Sequence, residues 1–291
     1  MSKKGFVYSW KDPSAASKIN SLNLGWYYTW NTNPVSGVNV PFVPMIWSPK
    51  SLGVLGNVKG NTILGFNEPD RSDQSNVSVQ DAVRLWPQLI KTGKRVGSCA
   101  TASNPTKPGW QQDFMTQTNI GVDFITVHWY APPNAHSLLA QLHTLYEEYK
   151  KPIWITEFAV ADWKNTTGGF PVEKVIEFMK DVLPVLDELP YVEKYSWKTR
   201  TTSDLNMGTS ALFKDDGSLT ELGQVYAAHG APCACGCGPD CKGCACDCEC
   251  CPHPEPEAPE PEAPEPEAPE PEAVTRIEAL EAVATENVDE E

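Results

Sequence analysis

Eight short runs of apolar, β-branched or aromatic residues recur along this chain, and they constrain its fold more than any other feature. They occupy residues 5–8, 24–27, 42–46, 63–66, 95–98, 124–127, 153–156 and 194–197. Most are continuous and do not alternate with polar residues, which suits parallel strands buried on both faces. Helical segments separate several of them. Ser78 is placed to cap a helix over 79–91, where Ala82, Leu85, Leu89 and Ile90 fall at helical spacing and Pro87 predicts a kink or break. Ser137 is placed to cap a second helix through Leu138, Leu142, Leu145 and Tyr149. Pro171 suits the first turn of a third through Val175, Phe178, Met179 and Val182. Segments 28–40 and 47–61, rich in Pro, Gly, Asn and Ser, read as long loops with little helix. The expected class is α/β, a (β/α)8 TIM barrel, with an open doubly wound sheet as the alternative the same pattern permits.

The aromatic residues bound where that core lies. No Phe, Trp or Tyr follows Tyr226, and a packed core needs large apolar side chains, so it must precede about residue 231. The net charge of −15 belongs to the other end. Residues 1–230 balance, while 231–291 carry a large acidic excess against only Lys242 and Arg276. The barrel therefore has no basic field for nucleic acid. No apolar stretch approaches the length of a membrane span, and the MSKKGFVYSW start lacks the apolar core of a signal peptide. The expected organisation is a monomer with a catalytic barrel at 1–230, a cysteine-rich segment at 231–253 and a disordered acidic tail at 254–291. That tail opens with four copies of Pro-Glu-Pro-Glu-Ala over 254–273.

Two glutamates stand directly after apolar runs, Glu68 in ILGFNEPD and Glu157 in IWITEFA. Counting runs, these follow the fourth and seventh strands. Barrel enzymes carry their chemistry at the C-terminal ends of strands, and non-adjacent strands let two groups face each other across the mouth. A pair of carboxyls suffices for glycoside hydrolysis, one protonating the leaving oxygen and the other attacking the anomeric carbon. A lone glutamate here would read as an ion pair closing a strand end. Two in equivalent positions, each beside aromatics, read as catalytic. Trp10, Trp26, Tyr27, Tyr28, Trp30, Trp47, Trp129, Tyr130, Trp163 and Trp197 also lie at or just beyond strand ends. About half belong to ordinary core. As a group they suggest a glycan cleft, because indole and phenol rings stack on the C–H faces of sugars. Cys99, after an apolar run, reads as a small buried hydrophobe.

The segments WYYTW at 26–30, FVPMIW at 42–47, GFNEPD at 65–70, DFITVHWY at 123–130, PIWITEFA at 152–159 and KYSW at 194–197 resemble, in order and spacing, glycoside hydrolase family 128. That family of β-1,3-glucanases includes the alkali-sensitive-linkage proteins of fungal walls, and the likeness covers about residues 5–228. The resemblance implies a retaining endo-β-1,3-glucanase acting on β-glucan without a catalytic cofactor. Glu68 would be its acid/base and Glu157 its nucleophile. It further implies that Asn67 binds the sugar hydroxyl beside the reacting carbon, that His128 or Tyr130 contacts the nucleophile, and that Trp197 forms an aromatic platform. Trp26, Tyr28, Trp30 and Trp47 complete the substrate-binding candidates. Lys198 departs from the pattern, which leads one to expect Phe after KYSW. The following segment 199–210 is then free to shape specificity.

Nine cysteines crowd into CACGCGPDCKGCACDCECC: Cys233, Cys235, Cys237, Cys241, Cys244, Cys246, Cys248, Cys250 and Cys251. Five overlapping Cys-x-Cys pairs and no bulky residue resemble metallothionein, and thiolates this dense suit Zn(II) or Cu(I). Disulfides in an oxidising compartment, or a wall-anchoring cross-link, are the alternatives, and an odd number leaves at least one thiol unpaired. Reduced thiolates suit a reducing compartment, whereas the family resemblance implies secretion or the cell wall. The two indications of location oppose each other.

Overall fold

A computed structural model of the chain describes residues 2–117 and 120–231. The chain divides into two units, Met1–Gly230 and Ala231–Glu291. The cysteine block and the acidic repeats lie outside the described residues.

Among the described residues the first unit holds seven parallel strands: β1 (Lys4–Val7), β2 (Trp26–Tyr28), β3 (Thr62–Ile63), β4 (Arg95–Val96), β5 (Ile125–Ala131), β6 (Ile153–Val160) and β7 (Val192–Lys198). They pair in the orders β2-β1-β7-β6-β5 and β3-β4. Single parallel bridges join these two sheets into a ring, Tyr27 to Phe42, Met45 to Leu64 and Gly97 to Phe124. All eight predicted runs thus occupy staves of one barrel in chain order. Because β7 pairs with β1 as well as with β6, the open sheet is excluded. The run at 42–46 fills its stave through bridges and forms no continuous strand. Pro41 and Pro44 lack the amide donors a ladder needs, although their carbonyls still accept from Tyr27 and Leu64.

The helices pack outside the ring, beginning with α1 (Ala15–Asn20). Ser78 caps α2 (Val79–Leu85), accepting from the Asp81 amide at 3.1 Å, and Pro87 restarts the chain as α3 (Pro87–Ile90). The helix α4 spans Trp110–Met115. The next, α5 (Ala135–Tyr149), begins earlier than predicted. Asn134 is its cap, accepting from the Ser137 amide at 3.0 Å, so Ser137 lies within the first turn. Asn caps as well as Ser, and the Asn134 amide donates back to the Pro132 carbonyl at 2.7 Å, a bend that turns the chain into the helix. Pro171 likewise sits one residue before α6 (Val172–Glu188). The segment 47–61 is less irregular than expected, holding a 3-10 helix over Pro49–Asn57. Helix α7 (Glu221–Ala228) ends the unit.

Aromatic rings plug the lower barrel. Trp154 stacks on Phe124 with centroids 4.3 Å apart and meets Trp26 at 5.3 Å, while Trp26 stacks under Tyr28 at 5.9 Å. Glycines make the room. A Cβ at Gly5 would lie 2.2 Å from Trp26 Nε1, and one at Gly97 would lie 2.4 Å from the Phe124 ring. Glu193 accepts from Trp154 Nε1 at 2.8 Å and pairs with Arg95 at 3.0 Å. Each buried ring contributes roughly 1.5–3 kcal/mol. With the floor filled, the C-terminal rim is the end that can receive a ligand. Cys99 is fully buried, and burial pushes its thiol far up, as its small-hydrophobe reading requires. Lys4 is also buried. Its ammonium reaches the Tyr226 carbonyl at 2.7 Å and the His229 carbonyl at the end of α7, and burial lowers its pKa to about 8.

Candidate active site

Two strand ends bring the glutamates together. Glu157 lies within β6, opposite His128 of β5, at a register shift in the β5–β6 ladder. It is buried and accepts hydrogen bonds from Tyr28 Oη at 3.0 Å, Trp30 Nε1 at 2.7 Å and the Tyr130 hydroxyl. Glu68 stands beyond β3, with its amide donating to the Ala100 carbonyl at 2.8 Å. Its φ of +41° puts a non-glycine residue in the left-handed region, as does the +55° of Trp30. Such backbone costs on the order of 1–3 kcal/mol per residue and persists where surrounding contacts enforce it. For Glu68 the enforcing group is Asp70, which accepts from the Ala102 and Ser103 amides at 3.0 and 2.9 Å and ties the two rim loops together.

His128 bridges the pair. Its Nδ1 is 2.9 Å from Glu68 Oε1, and its Nε2 is 3.3 Å from Glu157 Oε1. The second contact is not a hydrogen bond, and Nε2 has no hydrogen-bond partner among the described residues. Burial alone would lower the His128 pKa, but the charge of Glu157 and the hydrogen bond to Glu68 outweigh it and hold the imidazole above its usual value. For Glu157, burial opposes ionisation. The positive charges of His128 and Lys198, with the Tyr130 and Trp30 hydrogen bonds, overcome it and keep the carboxyl below the usual range. Tyr28 and Tyr130 are driven far up by burial and by Glu157, so both stay protonated as donors. The arrangement thus holds one anion fixed by neutral donors, beside a more accessible carboxyl. They face a cleft of about 660 Å³, a size suited to small ligands.

A family model described as the glycosyl hydrolase catalytic core matches residues 5–226. The chain belongs to this family. Alkali-sensitive linkage protein 1 of Schizosaccharomyces pombe (strain 972 / ATCC 24843) is 30% identical over 223 residues, 71% of this chain and 41% of that one. The present chain therefore spans less than half the length of this curated relative. Among solved structures, a GH128 subgroup I endo-β-1,3-glucanase from Amycolatopsis mediterranei, in complex with laminaritriose, is 33% identical. It superposes with a TM-score of 0.70 over 79% of this chain and 100% of that one. A subgroup V exo-β-1,3-glucanase from Cryptococcus neoformans is 27% identical, with a TM-score of 0.66 over 78% and 98%.

In this member of the family the structure gathers most of the predicted residues. Asn67, Glu68, Trp30, Trp47, Tyr130 and Glu157 line the cleft, and Tyr28 and His128 hold the two glutamates from beneath. The Asn67 side-chain oxygen is buried without a hydrogen-bond partner among the described residues. His128 and Tyr130 were expected as alternatives beside Glu157, and both contact it. Trp26 and Trp197 do not reach the cleft. Trp26 opens β2, one strand repeat below Tyr28, and is packed in the floor with Nε1 on the Lys3 carbonyl at 3.0 Å. Trp197 is fully buried against Phe158, with Nε1 on the Ser210 carbonyl at 3.0 Å, so it offers no open platform. Lys198 does face the cleft. Its ammonium lies 4.4 Å from the Trp30 ring centroid, and burial lowers its pKa against the pull of Glu157. Arg71 and Gln74 also line the cleft and escaped the sequence reading, while Arg200 and Met207 line it from the segment 199–210 that was expected to shape specificity. Arg71, three residues past Glu68 in the same rim loop, had a positional signal. Among the described residues, no cluster of three or more His, Cys, Asp or Glu side chains is placed to hold a metal, and no helix is long and apolar enough to cross a membrane. The nine tail cysteines, Cys233 to Cys251, lie outside the described residues.

Proposed function

We propose that the chain is a retaining endo-β-1,3-glucanase that works by double displacement. The observation carrying this is the single imidazole shared by Glu68 and Glu157, one carboxylate locked by three donors and the other more accessible. Glu157 would attack the anomeric carbon as the glycosidic C–O bond breaks, and Glu68 would give its proton to the leaving oxygen. Water would then attack the same carbon, giving its proton to Glu68 and freeing Glu157. Tyr28, Trp30 and Tyr130 suit the nucleophile's role because they keep it ionised and fix its direction of attack. The β-1,3 linkage is supported by the two glucanase structures described above. Of these the endo-acting one is more similar to this chain.

The test is the anomer first released from laminarin, followed by proton NMR. The β-anomer is the expected product; initial release of the α-anomer would refute the nucleophilic role of Glu157. Early products of mixed length would support endo action, and a single small product would refute it.

The cysteine block carries a separate proposal, resting on sequence alone: its thiolates bind Zn(II) or Cu(I). Full-length protein purified under reducing conditions should hold several metal ions by mass spectrometry. A version with all nine cysteines changed to serine should hold none and keep its glucanase activity. Equal metal content in both would overturn the proposal.

A further inference from the structure

Among the described residues, the charged side chains lining the cleft are Arg71, Lys198 and Arg200 against Glu68, Asp73 and Glu157. Two of the cations have an evident counterpart. Arg71 grips Asp73 in a fork, with nitrogens on the two carboxylate oxygens at 2.9 and 3.1 Å. Lys198 is buried, and the charge of Glu157 opposes the lowering that burial imposes on its pKa. Arg200 is left over. Its guanidinium donates no hydrogen bond among the described residues, and the carboxylate it pairs with, Asp204, stands 3.9 Å from Nε. Asp204 is not free to close that gap. Its other oxygen accepts from the Asn206 and Met207 amides at 3.0 and 2.9 Å, which fixes the side chain. Arg200 also stands close enough to Lys198 for its charge to add to the lowering of that lysine's pKa. Two cations that repel across one wall, one of them with five unused N–H donors, suit an anionic ligand better than a neutral sugar.

We propose that the cleft accepts β-1,3-glucan oxidised to the carboxylate at C6, with Arg200 as the residue that recognises the anion and Lys198 as its second charge. A 1,3 linkage leaves C6 outside the chain, so oxidation there changes the charge and leaves the scissile bond as it was. A carboxylate is also close in size to the hydroxymethyl group it replaces and needs no new room. The guanidinium fork matches its two oxygens, and the ammonium adds a point charge. Glu157 repels such a group near the reacting carbon, so the carboxylate lies toward Arg200. The inference rests on the β-glucanase reading above and names a substrate class for it.

The test compares kcat/KM of the full-length protein on laminarin and on laminarin partly oxidised at C6, at one pH and one ionic strength. The wild type should cleave the oxidised polymer at least as well as the neutral one. Arg200→Gln should lower the ratio of oxidised to neutral about tenfold, the worth of one hydrogen bond to a charged group, and Arg200→Lys should keep part of it. A wild type that cleaves laminarin but disfavours the oxidised polymer tenfold, or a ratio that Arg200→Gln leaves unmoved, would overturn the proposal. So would a preference for sulfated laminarin with none for the carboxylate. If neither polymer is cleaved, calorimetry on laminarihexaose and its C6-oxidised form decides. Tighter binding of the oxidised form, lost in Arg200→Gln, would keep the anion site and remove the hydrolase reading, and equal binding would overturn both.

Discussion

Tyr130→Phe removes one hydrogen bond from Glu157 and leaves the ring in place. Three neutral donors hold this carboxylate, at Tyr28, Trp30 and Tyr130. A hydrogen bond to a charged group contributes about 1.5–3 kcal/mol, and about 1.36 kcal/mol corresponds to one pH unit. Losing one donor of three, with the other two free to tighten, should therefore move the Glu157 titration upward by about one pH unit. In a retaining enzyme the nucleophile must be ionised, so the acid limb of kcat/KM reports this group. The variant's acid limb should rise by about that amount while its basic limb stays in place. Stability follows the same sign. The folded pKa of Glu157 is depressed, so its contribution is present above the unfolded pKa and is lost as pH falls through the folded value. Tyr130→Phe should thus be less stable than wild type near neutrality, with the gap closing in acid. The assay is laminarin hydrolysis across pH, paired with denaturant unfolding at two pH values. An activity loss by the same factor at every pH, with no movement of the limb, would refute the electrostatic role of Tyr130.

Lys198→Met should also raise the acid limb, because the lysine's charge helps keep Glu157 ionised, and Lys198→Arg should restore it; a limb unmoved in both variants would show that the lysine acts only as a wall of the cleft. Trp197→Ala should cost about 3–5 kcal/mol of stability in urea unfolding, as expected for a fully buried indole, and a loss confined to substrate affinity with stability intact would restore its reading as a platform.

Much of the barrel was legible because parallel strands buried on both faces leave continuous apolar runs. The two glutamates were legible because each follows such a run. What failed was depth and direction along a strand. Trp26 and Tyr28 lie on the same face of β2, two residues apart, and the two-residue repeat that carries Tyr28 up to Glu157 leaves Trp26 in the floor. The same alternation turns Lys198 into the cleft and Trp197 out against Phe158 and Tyr226. A lysine after a strand ordinarily reads as a solvated charge, so Lys198 stood out only as a departure from the family pattern. The bridging role of His128 depends on a register shift between β5 and β6, which leaves no trace in composition or periodicity.

The contact between Lys4 and the last carbonyls of α7 clasps the opening strand of the barrel to its closing helix. Trimming the end of α7 would strand the buried Lys4 cation in the interior, and trimming β1 would leave the last carbonyls of α7 without their donor. Conversely, the first strand and the last helix of this unit lie side by side. A short peptide linking them, with the chain reopened at an exposed rim loop, is a rearrangement that this architecture is built to accept.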